Sequence, residues 1–467
     1  MKNYHLWNPC SDVEDLADMV DMGPMRIVRG DGVYVYNEKG KRYLNAGSSL
    51  WNVAVGHGRE ELCQIAYDQM KQCAYASCHE QTNPPAMQLA EKLCNMTGGF
   101  YDMAYLASNG ADAVETAIKT ARQYFRQHEN PAFSGKYKII SFVGCYHGAS
   151  YGAVSTSTDP LDEKLYGPLL PGFLKIEPPY AYHKAYGTSD QAECEKRCLA
   201  AISELIQNED ENTIAAFIAE PVMGCAGIIP FSDEFFVSLI QLLHKHHILF
   251  IADEVTTGFG RTGRMFVSEN WAERPDMMCL SKGLISGYLP LSAMLATEKV
   301  FKNFRGKGRR LEHGYTASGH PVCCAVALKN IQIIEEESLC QNSAEVGKYL
   351  LDQIAVLQKK YGCIGDLRGR GLMIGMELIN PETKEPLSAN DTKKIMLDTA
   401  MMGVLMYYDR NILGLFPPLI LTKEQADEIV AVLSKSLDIS KSGIRKRRIR
   451  MMKELSNRAL QKKEGES

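Results

Sequence analysis

The chain has 467 residues, of which 45% are hydrophobic and 23% charged, and its formal net charge is −4. This composition is ordinary for a globular protein with two or three domains, and the charge argues against nucleic acid or a membrane surface as the main partner. No run is long and apolar enough for a transmembrane helix, and the start, MKNYHLW, holds no signal-peptide core, so we expect a cytoplasmic protein.

The order of the predicted elements indicates an α/β fold. Residues 32–36 and 41–44 flank a short polar turn, which predicts a β-hairpin. Further along, apolar runs that predict strands alternate with amphipathic stretches that predict helices: strands at 138–142, 214–219 and 248–253, and helices at 194–207 and 235–246. Continuous apolar strands that alternate with helices are typical of a mainly parallel sheet covered on both faces.

The ends of the chain differ from its middle. Beyond about residue 325 the pattern is helical, and residues 371–378 predict one more strand. We therefore expect a large domain at 61–325 and a smaller α+β domain formed by 1–60 together with 326–438. Residues 439–467 form a basic tail, which we interpret as a solvated terminal helix, with a nucleic-acid or acidic-lipid patch as the alternative.

Three residues near predicted strand ends indicate a cofactor site. Asp253 ends one apolar run, Glu220 follows another, and Lys282 lies downstream in Ser281-Lys282-Gly283. Ligands of such sheets bind outside the carboxyl ends of the strands. A lysine amine forms an imine with an aldehyde, and a carboxylate can hold a proton on a pyridine nitrogen. Together these residues match what pyridoxal 5′-phosphate (PLP) requires of a protein.

Two other motifs fit the same cofactor. The turn Ser108-Asn109-Gly110-Ala111 leads into a helix, whose first N–H groups can bind a phosphate; an ordinary capped helix is the alternative. Tyr146 follows the predicted strand 138–142 and could stack on a cofactor ring, or be a core tyrosine.

Two further motifs resemble a metal site and a dinucleotide site, but neither has the context that its ligand requires. We expect no metal at His244, His246 and His247, because they stand at a helix end before a buried strand. The glycine pattern at 258–263 does not open a helix directly after a strand, which excludes a dinucleotide site.

In this order along the chain, the motifs resemble those of the class III aminotransferases, PLP enzymes of fold type I. They are HLWNP at 5–9, SNGADA at 108–113, YHG at 146–148, EPV at 220–222, DEVTTGFGRTG at 253–263, SKG at 281–283, HGYT at 313–316, GHP at 319–321 and RGRGL at 368–372. The resemblance covers nearly the whole chain. It implies a large, mainly parallel sheet domain and a smaller α+β domain from both termini.

The resemblance also implies residue roles. Lys282 and Asp253 would be catalytic, the first as tether and proton shuttle and the second as partner of the ring nitrogen. Val255 and Tyr146 would pack on the two ring faces, and Thr316 would reach the phosphate of the neighbouring subunit in a homodimer, or in a tetramer of such dimers. The implied cofactor-binding residues are Ser108, Gly110, Ala111, Tyr146, His147, Glu220, Asp253, Val255, Lys282 and Thr316.

The substrate side resembles the ω-amino acid:pyruvate and taurine:pyruvate branch, on residues 283–292 and 319–321. Trp51 would form an aromatic wall, and Arg410 would bind a substrate carboxylate; a surface-loop arginine is the alternative. The implied reaction moves an amino group from a terminal amine, such as β-alanine, taurine, a diamine or an arylalkylamine, to pyruvate by a ping-pong mechanism.

Other functions on this scaffold stay open. They are a 4-aminobutyrate, ornithine-type, diamine or diaminopelargonate aminotransferase, a PLP racemase or phospholyase, and a non-catalytic protein that kept the fold.

Overall fold

The computed structural model describes residues 5–10, 26–157 and 160–442. Of the basic tail predicted at 439–467, residues 439–442 end a helix and the rest lies outside the described residues. Within the described part, no helix is both long enough and apolar enough to cross a membrane.

The elements follow one another in chain order. The strands are β1 Ile27–Asp31, β2 Tyr34–Asn37, β3 Arg42–Asn45, β4 Met103–Ala107, β5 Lys138–Phe142, β6 Phe173–Ile176, β7 Ile214–Ala219, β8 Val222–Met223, β9 Ile229–Pro230, β10 Leu249–Asp253, β11 Met277–Leu280, β12 Ser292–Ala296, β13 Ile364–Arg370, β14 Met373–Leu378, β15 Val404–Leu405, β16 Tyr407–Asp409 and β17 Ile412–Leu415. The helices are α1 Glu60–Gln72, α2 Pro84–Met96, α3 Gly110–Arg126, α4 Tyr151–Thr156, α5 Pro160–Tyr166, α6 Gln191–Asn208, α7 Asp233–Lys245, α8 Glu298–Phe301, α9 Pro321–Glu336, α10 Leu339–Tyr361, α11 Ala389–Met401 and α12 Lys423–Ser442.

The largest sheet has seven strands in the order β4-β12-β11-β10-β7-β5-β6. Strand β12 is antiparallel to both of its neighbours, and the other pairs are parallel. Strands β4, β5, β6, β7, β10 and β11 therefore run in one direction. The predicted α/β fold with a mainly parallel sheet is confirmed.

This sheet is buried on both faces. On one face Phe217 and Phe250 pack in a core with apolar side chains of α6 and α7. On the other face Ile218 and Ile251 pack against α3. Alternate residues of β7 and β10 thus point into different cores, which explains why both strands read as continuous apolar runs.

Two four-stranded sheets lie outside this layer. β2 and β3 form the predicted hairpin, and β15 pairs parallel to β3 through Val404 and Leu44, so both halves of the chain meet in one sheet. β13, β14, β17 and β16 form an antiparallel sheet. The domain boundaries given above stay a prediction.

Candidate active site

The sheet brings the predicted cofactor residues to one edge. β4, β5, β7, β10 and β11 share a direction, so their carboxyl ends lie along the same edge of the sheet. The residues at or just beyond these ends are Ser108, Tyr146, Glu220, Asp253 and Lys282. This is the position where open α/β sheets bind their ligands.

Asp253 is buried and held by two donors. Its Oδ2 lies 2.7 Å from Nδ1 of His147, and its Oδ1 accepts the Val255 N–H at 3.0 Å. Burial alone would lower the pKa of His147, but the neighbouring Cys145 and the hydrogen bond to Asp253 outweigh it and raise that pKa to about 10. The His147 imidazolium therefore places a positive charge 2.7 Å from Oδ2 of Asp253, the side chain predicted to pair with a protonated ring nitrogen.

Lys282 begins a short turn after β11. Its φ is 40°, in the left-handed region, and its Nζ donates to the Thr256 hydroxyl at 2.6 Å. Burial lowers the pKa of Lys282, although the carboxylates of Asp253 and Glu220 act in the opposite direction. A lowered pKa increases the fraction of neutral amine, which is the nucleophilic and proton-accepting form.

The start of α3 provides free N–H groups. The Asn109 side chain caps the helix by accepting the N–H of Asp112 at 3.1 Å. Among the residues that the structure describes, none accepts from the first-turn N–H groups of Gly110 and Ala111, which can therefore bind a ligand. A Cβ on Gly110 would lie only 2.9 Å from Cγ1 of Val255. The helix start therefore packs directly against the residue predicted to contact the ring.

The polar and aromatic surroundings also fit PLP. The Tyr146 ring is 48% exposed, whereas Glu220 is buried and accepts the Tyr146 N–H at 3.1 Å and the Gly224 N–H at 2.9 Å. Burial raises the pKa of Glu220. An exposed aromatic face, anion donors, a buried carboxylate and a lysine amine at one sheet edge match the cofactor's ring, phosphate and aldehyde.

Trp51 forms the wall beside the lysine. Lys282 Nζ lies 5.1 Å from the centre of the Trp51 ring. Phe416 stacks on Trp51 at 4.3 Å between ring centroids, and Tyr407 meets it edge-on at 4.9 Å. Phe416 and Tyr407 were not predicted from the sequence, in which the one signal is that Phe416 directly precedes Pro417-Pro418.

Trp51 is presented by an uncommon turn. Four consecutive residues, from Ser48 to Trp51, have φ between 45° and 70°. The turn is closed by the hydrogen bonds from Trp51 N to Gly47 O at 2.8 Å and from Ser49 N to the Asn45 side chain at 3.1 Å. Non-glycine residues adopt this conformation at a cost, so such turns are retained mainly where a side chain has to be aimed.

Arg410 lies at the rim of this region. It occupies the tip of the hairpin between β16 and β17 with φ 46°, and its side chain is 66% exposed. Its Nε donates to Asp409 at 3.0 Å, and its Nη2 donates to the Cys225 carbonyl at 3.4 Å. Burial raises the pKa of the Cys225 thiol to about 12, and the charges of Glu220, Lys282, Asp409 and Arg410 all act on it. Cys225 therefore lies within electrostatic reach of both Lys282 and Arg410.

Thr316 is not brought to this group. It is exposed, and its carbonyl accepts the Tyr75 hydroxyl at 2.6 Å. Its loop borders a surface cavity of about 730 Å³ lined by Cys78, His79 and His313, among others, and by none of the residues predicted for the site.

Comparison with known proteins agrees with this geometry. The family model described as Aminotransferase class-III matches residues 16–437. The chain is 33% identical to the adenosylmethionine-8-amino-7-oxononanoate aminotransferase of Methanocaldococcus jannaschii, over 90% of this chain and 93% of that protein. It is 32% identical to the putrescine–pyruvate aminotransferase of Pseudomonas aeruginosa, over 94% of each.

A solved structure gives the same result. The PLP-bound amine transaminase from an uncultivated Pseudomonas species has a TM-score of 0.88 and 34% identity, over 93% of this chain and 99% of that one. The chain therefore belongs to the class III aminotransferases, PLP-dependent enzymes of fold type I.

Proposed function

We propose that this aminotransferase moves an amino group from a terminal amine to pyruvate, in two half-reactions at one site. The aromatic wall beside Lys282 carries the proposal. Trp51 presents an apolar aromatic surface whose ring centre lies 5.1 Å from Nζ, with Tyr407 edge-on to it and the fully buried Phe416 stacked against it. Such a surface accepts the unbranched or aryl part of an amine whose amino group points at the lysine.

Different residues of the chain have different roles in the reaction. PLP, when bound, supplies the electron sink for the carbon that carries the substrate's amino group. Lys282 would be the general base that moves the proton of that carbon, with its amine oriented by a hydrogen bond to the Thr256 hydroxyl. Asp253, held by Val255 and His147, keeps a proton at the ring nitrogen.

The acceptor needs a cation for its carboxylate. Arg410 supplies this cation in the proposal: it donates to the Cys225 carbonyl, and the charges of both Arg410 and Lys282 act on the Cys225 thiol. Its exposure at the rim supports a role in both half-reactions, because it can turn toward a keto acid and away from an apolar amine.

The proposal includes a homodimer with shared sites. Thr316 of one protomer would reach the phosphate site of its partner, which accounts for an exposed threonine loop beside a large cavity outside the lysine site. Light scattering should give twice the chain mass, and Thr316→Ala should weaken PLP binding without changing that mass. A monomer that binds PLP fully would refute this part.

A donor and acceptor panel tests the reaction. β-Alanine, taurine, a diamine and an arylalkylamine are each paired with pyruvate and with 2-oxoglutarate, and alanine and glutamate are counted. We expect mainly alanine. Mainly glutamate would overturn the choice of pyruvate.

A second arm omits the keto acid. An aminotransferase then stops after one equivalent of amine per site, whereas continued product formation from the amine alone would indicate a racemase or a phospholyase.

A further inference from the structure

A polar cluster centred on a buried carboxylate joins the segment after β6 to the small antiparallel sheet. Glu377 of β14 is 3% exposed and accepts at both carboxylate oxygens. Its Oε1 lies 2.7 Å from His183 Nε2 and 3.3 Å from Asn411 Nδ2, and its Oε2 lies 3.0 Å from the Tyr180 hydroxyl. Arg368 Nη1 adds contacts to Glu377 at 3.4 Å and to Asp366 at 2.6 Å. The Glu377 cluster consists of Tyr180, His183, Asp366, Arg368, Glu377 and Asn411.

The cluster holds both hairpins that form the rim of the candidate site. Arg368 Nε and Nη2 donate to the Gly227 carbonyl at 2.9 Å and 2.6 Å, in the turn between β8 and β9 that also contains Cys225. A Cβ on Gly227 would lie 2.7 Å from Arg368 Nη2, so the contact requires glycine. Asn411 follows Arg410 in the other hairpin. A shift of the cluster would therefore move Cys225 and Arg410.

The charges of the cluster balance only with His183 protonated. The carboxylates of Asp366 and Glu377 face the single guanidinium of Arg368, which leaves one excess negative charge when the imidazole is neutral. Burial acts to raise the pKa of Glu377, but the hydrogen bond and charge of His183 and the charge of Arg368 hold it below its usual value. The pair therefore stabilises the ionised carboxylate.

The His183 ring is open to solvent. Its side chain is 57% exposed, whereas that of its partner Glu377 is 4% exposed. The titratable, charged and polar groups that face it from the elements packed around it are Tyr180, Tyr182, Asp366, Arg368, Glu377 and Asn411.

We propose that the His183–Glu377 pair is a positioning element that makes the affinity for carboxylate substrates depend on pH. The inference rests on the proposed function, because it concerns the Arg410 subsite. With His183 protonated, the cluster is balanced and both hairpins stay docked. Loss of the proton leaves a buried excess negative charge behind Arg410, which weakens the docking and repels an incoming carboxylate.

Three variants test the pair. The KM for pyruvate is measured from about pH 6 to 9, where histidine changes charge, at a saturating concentration of a carboxylate-free amine. In the wild type we expect this KM to rise about five-fold or more with pH. His183→Gln should have the high KM at every pH, and His183→Lys, which keeps its charge, should retain the low KM at high pH. His246→Gln is the matched control, since His246 pairs with Glu211 outside the cluster and should leave the wild-type profile unchanged.

Two results would overturn the inference. One is a His183→Gln profile that follows the wild type. The other is an equal rise of the KM for the carboxylate-free amine, which would indicate a general loss of structure. Failure of the proposed function would look different, because the wild-type enzyme would then form no alanine from any amine and pyruvate.

Discussion

Replacing Arg410 by glycine separates the role of its side chain from that of its backbone. Arg410 has φ 46° at the tip of a two-residue turn. An L-residue in this region costs about 1–2 kcal/mol, whereas glycine adopts it freely. Glycine also gains freedom in the unfolded chain, which costs about 0.5–1 kcal/mol. These effects nearly cancel, so we expect the Tm to change by no more than about 2 °C.

The effect on pyruvate should be larger. A hydrogen bond to a charged group contributes about 1.5–3 kcal/mol. The Arg410 side chain is 66% exposed and already pairs with Asp409, so we discount this to about 1–2 kcal/mol. With a factor of ten for every 1.4 kcal/mol, the KM for pyruvate should rise about five- to thirty-fold.

The assay combines steady-state kinetics with thermal unfolding. Arg410→Ala should raise the KM equally but lower the Tm below that of the glycine variant, because alanine keeps the strain. Lys384→Gly is the matched control: Lys384 is an exposed cation with φ 64°, and among the described residues it makes no hydrogen bond or ion pair with a candidate site residue. An unchanged KM in Arg410→Gly would refute the assignment of Arg410 to the carboxylate.

Three further substitutions probe the site and its support. Lys282→Ala should abolish the visible absorption of the bound cofactor and lower turnover at least about a thousandfold, and a retained band would contradict the tether. Gly224→Ala places a Cβ 2.7 Å from Cζ3 of Trp51 and should displace that ring, so kcat/KM for apolar amines should fall about tenfold. An unchanged kcat/KM would show that the position of the Trp51 ring does not matter for these amines. Asp276→Asn should cost about 3 kcal/mol at pH 7, measured by denaturant unfolding. Burial raises the pKa of Asp276, but the bond to His244 and nearby positive charge hold it below its usual value. The stabilisation of the fold by ionised Asp276 is therefore present above about pH 4 and is lost as the pH falls through the pKa that Asp276 has in the folded protein. Unfolding of the variant that is equally sensitive to acid would contradict this.

The large sheet could be read from the sequence because its signals are local. β7 and β10 are continuous apolar runs, and Glu220 and Asp253 stand at their ends, so parallel pairing alone places both at one edge. The reversal of β12 could not be read in this way. Its residues Ser292–Ala296 are as buried as a parallel strand, and direction depends on the path of the connecting loop rather than on the strand itself.

The two aromatic neighbours of Trp51 could not be predicted for a different reason. Trp51, Tyr407 and Phe416 come from opposite ends of the chain and meet where β15 adds to the N-terminal sheet beside β3 and Phe416 N donates to Ala46 O at 2.7 Å. No spacing in the sequence encodes that contact. The Glu377 cluster is of the same kind, since Tyr180 and Glu377 are separated by 197 positions and neither lies in a recognised motif.

The same uncommon backbone conformation recurs at three candidate site residues. Trp51, Lys282 and Arg410 have φ of 64°, 40° and 46°, although they belong to three separate segments. Only a few per cent of non-glycine residues have positive φ, and each costs about 1–2 kcal/mol. Local bonds help to hold two of them: Trp51 N donates to Gly47 O at 2.8 Å, and Ser286 N donates to Lys282 O at 2.9 Å. The same conformation also occurs outside the candidate site, at Lys384 for example, so by itself it does not mark the site. At the wall, the amine and the rim it sets the direction in which each side chain leaves the backbone.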